Sequence, residues 1–486
     1  MRSNFALLTV PLLASSSALA SPVGSQRTVN GPSLRSKPPL LVASALSQRE
    51  ESCVGEGCST EYAREDIATS NRPGRKQLSL LDATAIIGGS AVGGGFLAVP
   101  AITAPIGVLP SAAGLLATWT FLVLAGLAYV EAAGAVMSRA QGSRAGASEA
   151  GGGASFLSLS RPCFGGRVSG ALSALFLIQM IVLLTANLVK AAQLCTTLMP
   201  SVQYVSAVWV AAVGVGTFVL ASTPLSIAAV NTALTGAMCV GFVALFAAAM
   251  FFAPRTAAPL LSHAKWGALL PQSGWVIPVF ANTLRFGEAI PVVVGHLGRE
   301  RLGEARTAVV LGSLLPLLLA IGWSAASLAL APVATAALGA SAADPVLALL
   351  HVSKCFAMPV TLIAIGAIGS TLIGLILASS QLLGDAFRSE IHLRWRTAAR
   401  TLMLVLPALF ACLGPGSYMP LIAFSGAFPT TVLYGLVPPV AALVLRWKNR
   451  RAGESMRAIV PGGRNTLVGL SLIACSLLGI NLRLLY

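Results

Sequence analysis

Gly88-Gly89-Ser90-Ala91-Val92-Gly93-Gly94-Gly95-Phe96-Leu97-Ala98-Val99-Pro100 lies inside a long apolar stretch of this chain. Five glycines fall between Gly88 and Gly95. Glycine costs a helix interior about 1 kcal/mol relative to alanine, and proline about 3 kcal/mol. A continuous helix is therefore not expected here, and an unwound segment is. If the stretch crosses a bilayer, unpaired backbone groups cost several kcal/mol each, so irregular backbone persists only where it lines a protein cavity or binds something. The competing reading is close helix packing through Gly89-x-x-x-Gly93, which needs no ligand.

The chain around this stretch is membrane-like. Of 486 residues 56% are hydrophobic and only 10% charged, against roughly 25% charged in a soluble domain, which excludes a soluble enzyme. Apolar runs long enough to cross about 30 Å of hydrocarbon recur from Leu80 onward. With glycine, proline and charge clusters as punctuation, eleven spans are predicted near 82–105, 109–133, 168–198, 203–222, 229–252, 274–296, 305–332, 355–383, 398–413, 418–445 and 465–485. With the N-terminus inside, twenty Arg and Lys residues fall in inner segments and four in outer ones, as the positive-inside rule requires. The formal net charge of +16 is thus spread over loops and does not point to a nucleic-acid partner. The eight cysteines are scattered and the four histidines far apart, with no Gly-x-Ser-x-Gly or His-Glu-x-x-His. No disulfide framework, metal site, cofactor or catalytic machinery is expected.

A second interruption falls at mid-span in Pro278-Val-Phe-Ala-Asn-Thr-Leu-Arg-Phe-Gly-Glu-Ala-Ile-Pro291. An ionisable residue at a helix centre costs roughly 2.5–3.5 kcal/mol and marks a pathway or a pair. Arg285 and Glu288, three apart, share a helical face and either neutralise each other or meet a ligand. The two interrupted spans open two successive groups of five, which predicts inverted repeats around a midplane binding site, as in carriers. Half-helix starts carry about +0.5 charge and suit a substrate carboxylate. The candidate substrate-binding residues are Gly88, Gly89, Ser90, Gly93, Gly94, Asn282, Thr283, Arg285, Phe286 and Gly287. Gln179, Asn187 and Lys190 on the third span are further pathway candidates, Lys190 being equally able to snorkel.

The N-terminus carries two targeting patterns in tandem. Residues 1–20 combine Arg2, an apolar stretch and Ala18-Leu19-Ala20, the pattern of a signal peptide. Residues 21–77 open with Arg, Lys and six serines and no acidic residue up to Arg49, the composition of a transit peptide. Such a bipartite presequence predicts delivery to a plastid behind extra membranes, its inner envelope foremost, with other endomembranes or the plasma membrane as alternatives. The polytopic domain is then 78–486.

Several motifs resemble one family. Gly88-Gly-Ser-Ala-Val-Gly-Gly-Gly-Phe-Leu-Ala-Val-Pro100 is similar to a first-span pattern of glycines followed by Leu-Ala-x-Pro, and Gly107-x-Leu-Pro110 to the Gly-x-x-Pro opening the next span. Phe286 with Ile290-Pro291, Gly298-Arg299, Gly312-Ser-x-x-Pro316, and Ala364 to Gly374 with Asp385-Ala-Phe387 extend the likeness to spans six to eight. Together they resemble the tryptophan/tyrosine permeases of the amino acid-polyamine-organocation superfamily, over about residues 78 to 440. The resemblance implies an all-α membrane protein of the leucine-transporter type, a 5+5 inverted repeat plus one helix. It also implies secondary active transport of tyrosine/tryptophan-type amino acids by alternating access, coupled to an ion, protons ahead of sodium. A carrier of the same fold for another solute, or a channel, are the alternatives. Where the family tends to show Phe-Gly-Phe-His, this chain has Leu284-Arg285-Phe286-Gly287. Glu288, Ser370 and Thr371 are the candidate ion-coupling residues. Relatives of the fold place hydroxyls at the last two positions beside first-helix carbonyls, and oxygen ligands suit a hard cation. Bonds to the preceding turn are the plainer role for both.

Overall fold

The computed structural model describes residues 78–142, 156–252, 264–338, 345–386, 393–453 and 458–483. The targeting segments expected over 1–77 lie outside the described residues. Among the described residues there is no strand. Among these residues nine segments are long and apolar enough to cross a membrane, ten with one bent pair; Thr401–Ala411, in the ninth expected span, is apolar but shorter.

The bent pair is the glycine-rich stretch. Helix α1 (Leu80–Ala91) starts on a capping box, in which Asp82 N–H donates to Ser79 Oγ at 3.1 Å and Ser79 N–H to Asp82 Oδ2 at 3.2 Å. It stops at Val92 and Gly93, both extended. A 3-10 segment, Gly94–Ala98, leads into α2 (Val99–Thr103), with Pro100 in its first turn, where a missing N–H is harmless. The axis turns by 47° across the break.

Gly107, at φ +89°, reverses the chain into α3 (Val108–Gly142). Helix α4 (Phe156–Leu198) is two helices end to end, parted at Gly165 with φ +80°; the third expected span begins just beyond that kink. Helices α5 (Tyr204–Ala221) and α6 (Pro224–Phe252) follow. The second interrupted span is α7 (Trp266–Thr283), a 3-10 turn (Gly287–Ala289) and α8 (Ile290–Leu297). Helices α9 (Leu302–Leu338), α10 (Pro345–Val352), α11 (Lys354–Ala386) and α12 (Leu393–Ala411) come next. The following span combines α13 (Tyr418–Ser425), a π-helix (Gly426–Leu436) and α14 (Val437–Arg451), and α15 (Gly463–Arg483) completes the order.

Burial ranks these segments from centre to rim. The best window of the second interrupted span is 78% buried, against 22–28% for α5, α6 and α15. The outer helices show apolar side chains outward, Val210, Val243 and Phe251 among them, as lipid-facing surfaces do. Glycines set the closest approaches. A Cβ on Gly88 would come 2.9 Å from Gly312 O, and one on Gly312 2.6 Å from Thr84 O, so α1 and α9 touch backbone to backbone. Helices α6 and α11 meet the same way, since a Cβ on Gly366 would lie 2.5 Å from Leu234 O. Small residues allow this van der Waals contact between helices where lipid supplies no hydrophobic drive.

Candidate functional site

The two breaks share one local design. In each, a helix ends, a 3-10 segment follows, and a second helix starts on Ala-Val-Pro100 or Ala-Ile-Pro291. The backbone repeats almost angle for angle: Ala98 at φ −79°, ψ −24° against Ala289 at −80°, −21°, then Val99 at −57°, −48° against Ile290 at −59°, −48°.

The breaks also meet in space. Gly94 N–H donates to the Thr371 hydroxyl of α11 at 3.0 Å, and Gly94 C=O accepts from the Tyr418 hydroxyl of α13 at 2.7 Å. Gly95 C=O accepts from the Thr283 hydroxyl of α7 at 3.2 Å. Where the α-helical ladder is interrupted, hydroxyls from three other helices thus bond the backbone, as a dry interior favours. No side chain fits at these glycines. A Cβ on Gly93 would sit 2.5 Å from Thr371 Oγ1, one on Gly95 2.9 Å from Asn282 Nδ2, and one on Gly94 would collide with the Asn187 amide oxygen. Asn187 Nδ2 is held by the Leu183 carbonyl at 2.7 Å, so its oxygen faces the break, buried and without a donor. Asn282 Oδ1 accepts from Ser425 at 3.1 Å.

Of the candidate residues, Gly93, Gly94, Asn282, Thr283 and Thr371 therefore form one cluster, joined by Asn187. Gly88 lies on the α1–α9 contact instead, and Gly89 and Ser90 are exposed, with the Ser90 hydroxyl donating to Ile87 C=O. Both Ser370 and Thr371 hydroxyls donate to Ala367 C=O in their own helix.

Arg285, Phe286, Gly287 and Glu288 form a second cluster. Arg285 Nη1 pairs with Glu288 Oε1, and the Tyr434 hydroxyl donates to the same oxygen at 3.0 Å. The guanidinium lies 5.9 Å from the centre of the Tyr434 ring, within reach of a cation–π contact. A small cavity, with room for about one water, adjoins the pair, lined by Gly126, Tyr129, Phe286 and Tyr434 among others. Gly287 leaves the space that the Tyr434 ring fills.

A model of the tryptophan/tyrosine permease family matches residues 76–481. The chain belongs to the tryptophan/tyrosine permease family. No curated protein sequence matches it significantly. Among solved structures, this permease is similar to a manganese transporter of Eremococcus coleocola in complex with an aromatic bis-isothiourea compound, at 15% identity, 83% of this chain and 87% of that one, and a TM-score of 0.49. A mutant of that transporter matches at 15% identity over 82% and 87%, with a TM-score of 0.49. The permease is a membrane transporter, not an enzyme.

Four residues of the candidate site went unread in the sequence: Tyr418, Ser425, Thr430 and Tyr434, all on the span of α13, the π-helix and α14. Their signal was polarity in an apolar run. Thr430 accepts from Gln179 Nε2 at 2.8 Å, tying α4 to the π-helix. The π-helix follows from Gly426, whose Cβ would collide with Pro278 C=O, and from Pro429, which lacks an N–H. Thr431 donates to Gly426 C=O five residues back, at 2.8 Å. Such widened turns recur at functional sites. Lys190, fully buried, lies 5.0 Å from the centre of the Tyr418 ring rather than at a membrane surface.

One further buried charge lies away from both clusters. Glu131 of α3, 2% exposed, accepts from Arg446 Nε at 2.5 Å and Nη2 at 2.9 Å, and from Ile459 and Val460 N–H at 2.9 and 3.2 Å. It ties α3, α14 and the segment before α15 together.

Proposed function

We propose that this permease is a secondary active transporter of tyrosine- and tryptophan-type amino acids, driven by a proton gradient and working by alternating access. The observation that carries the reading is the meeting of the two interrupted helices in the most buried part of the bundle. Backbone at Gly94 and Gly95 faces α4, α7, α11 and α13 there, and hydroxyls of Thr283, Thr371 and Tyr418 bond to it. Rocking of α1–α2 and α7–α8 against those helices exchanges these bonds for others and moves a bound solute from one side to the other. The matched Ala-Val-Pro and Ala-Ile-Pro restarts support a 5+5 inverted repeat, and α12 counted as a short crossing brings the total to eleven. The family's description supports an aromatic substrate. The tandem presequence supports a plastid envelope, and a fluorescent fusion to residues 1–77 tests that separately.

The deciding experiment reconstitutes the full chain in liposomes and measures labelled tyrosine uptake under imposed proton or sodium gradients, with other amino acids as competitors. Uptake that saturates, follows the proton gradient and is blocked only by aromatic amino acids is expected. Counterflow of another solute without tyrosine uptake would move the substrate; currents far beyond carrier turnover would replace the carrier with a channel.

A further inference from the structure

The Arg285–Glu288 pair is a one-point contact with both partners incompletely used. The Arg285 side chain is 10% exposed, yet its Nε–H is buried with no acceptor. The bonds from Arg285 Nη1 and from the Tyr434 hydroxyl both fall on Glu288 Oε1, leaving Oε2 outside them. A guanidinium is a planar fork suited to two parallel bonds with a carboxylate, and a carboxylate accepts at both oxygens. A donor edge and an acceptor oxygen of opposite charge thus stand side by side at a helix break, beside a small cavity.

We propose that this pair reads the head group of a zwitterionic α-amino acid. The substrate carboxylate takes the Nε edge of Arg285 and its ammonium takes Glu288 Oε2. The internal ion pair need not break. Charge favours a zwitterion over an anion or an amine: Arg285 and Glu288 cancel, a zwitterion adds nothing net, and a lone carboxylate or ammonium would leave an uncompensated charge in a buried site. The proposal rests on the permease reading and gives Glu288 a substrate contact in place of an ion-coupling role.

The test uses the full chain, purified and reconstituted, with three probes: L-tyrosine, 3-(4-hydroxyphenyl)propionate, which lacks the amine, and tyrosinamide, which lacks the carboxylate. Competition against tyrosine uptake and ligand-induced thermal stabilisation are both read, so that a variant that binds without transporting still reports. Wild type should reject each analogue by about 100-fold relative to tyrosine. Glu288→Gln should shrink discrimination against the amine-free analogue to less than about tenfold while leaving discrimination against the amide intact. Arg285→Lys, which keeps the charge but loses the fork, should weaken tyrosine about tenfold and narrow the gap to the amide. If Glu288→Gln does not yield folded protein, Glu288→Asp should weaken tyrosine and spare the amine-free analogue. Unchanged analogue ratios in Glu288→Gln, or equal losses for both ligands in Glu288→Asp, overturn the proposal. Unchanged ratios with uptake that no longer follows the gradient overturn it in favour of ion coupling at Glu288. Wild-type protein that neither binds nor transports tyrosine removes the permease reading itself.

Discussion

Replacing Gly94 with alanine places a methyl group where the Asn187 amide oxygen stands. Gly94 is not among the glycines with positive φ, so the cost is steric rather than conformational. Asn187 is 1% exposed, and its Nδ2 bond to Leu183 C=O is the anchor it must release in order to move. Leaving that buried amide unpaired costs about 1–3 kcal/mol. Fitting one more carbon into a packed interior costs a further 1–3 kcal/mol or so. Reduced freedom of the unfolded chain returns about 0.4–1 kcal/mol. The expected net loss is therefore about 1–5 kcal/mol, read as a lower unfolding temperature in detergent and as lost tyrosine uptake in liposomes. The cause is isolated by Asn187→Ala, which removes the obstacle. In that background Gly94→Ala should cost much less, with a coupling of at least about 1 kcal/mol, whereas independent sites add within about 0.5 kcal/mol. Additive losses would refute the argument that Gly94 is required by Asn187.

Gly89→Ala should be neutral or stabilising by up to about 1 kcal/mol, since Gly89 is helical and a Cβ there meets nothing within 4 Å; lost uptake in a stable variant would return Gly89 to the binding site. Thr371→Val removes the acceptor of Gly94 N–H and should cost about 1–3 kcal/mol and slow uptake, while Thr371→Ser should keep both near wild type. A valine variant with wild-type unfolding and uptake would dismiss that bond. Glu131→Gln leaves Arg446 without its counter-charge, at a cost of about 3–5 kcal/mol, and adding Arg446→Met, which removes the stranded cation while the glutamine oxygen still accepts from Ile459 and Val460 N–H, should recover most of it. A double variant as unstable as the single one would show that the ion pair is not the reason.

Both breaks were legible because glycine and proline act through their own backbone, without waiting for a partner. Gly93 to Gly95 and Gly287 announce where helix stops, and Pro100 and Pro291 where it restarts. Of the hydroxyls that hold the first break, Thr283 was legible as a polar mid-span residue, Thr371 only through the family resemblance, and Tyr418 not at all. Thr371 and Tyr418 stand 277 and 324 residues from Gly94, and a lone hydroxyl on an apolar helix reads like any that bonds its own preceding turn. Gly88 and Gly89 illustrate the opposite limit. They sit in the same glycine run as Gly93, but α1 is still helical there, so one meets α9 and the other nothing. Gln179, Asn187 and Lys190 stood out as polar positions on one span, yet their separate partners, Thr430, the Gly94 break and the Tyr418 ring, follow only from packing. Arg446 was hidden by its neighbours: beside Lys448, Arg450 and Arg451 it reads as loop charge, whereas it closes a buried pair.

That pair also sets a clock on biogenesis. Glu131 and Arg446 are 315 residues apart, and a ribosome adding about 5–20 residues per second needs roughly 15–60 s to bridge that gap. Throughout that interval α3 has been made while the cation and the two amides that neutralise its carboxylate have not. The nascent chain must keep Glu131 at the polar interface until its last two helices arrive, so the second span takes its final depth only when the protein is nearly finished.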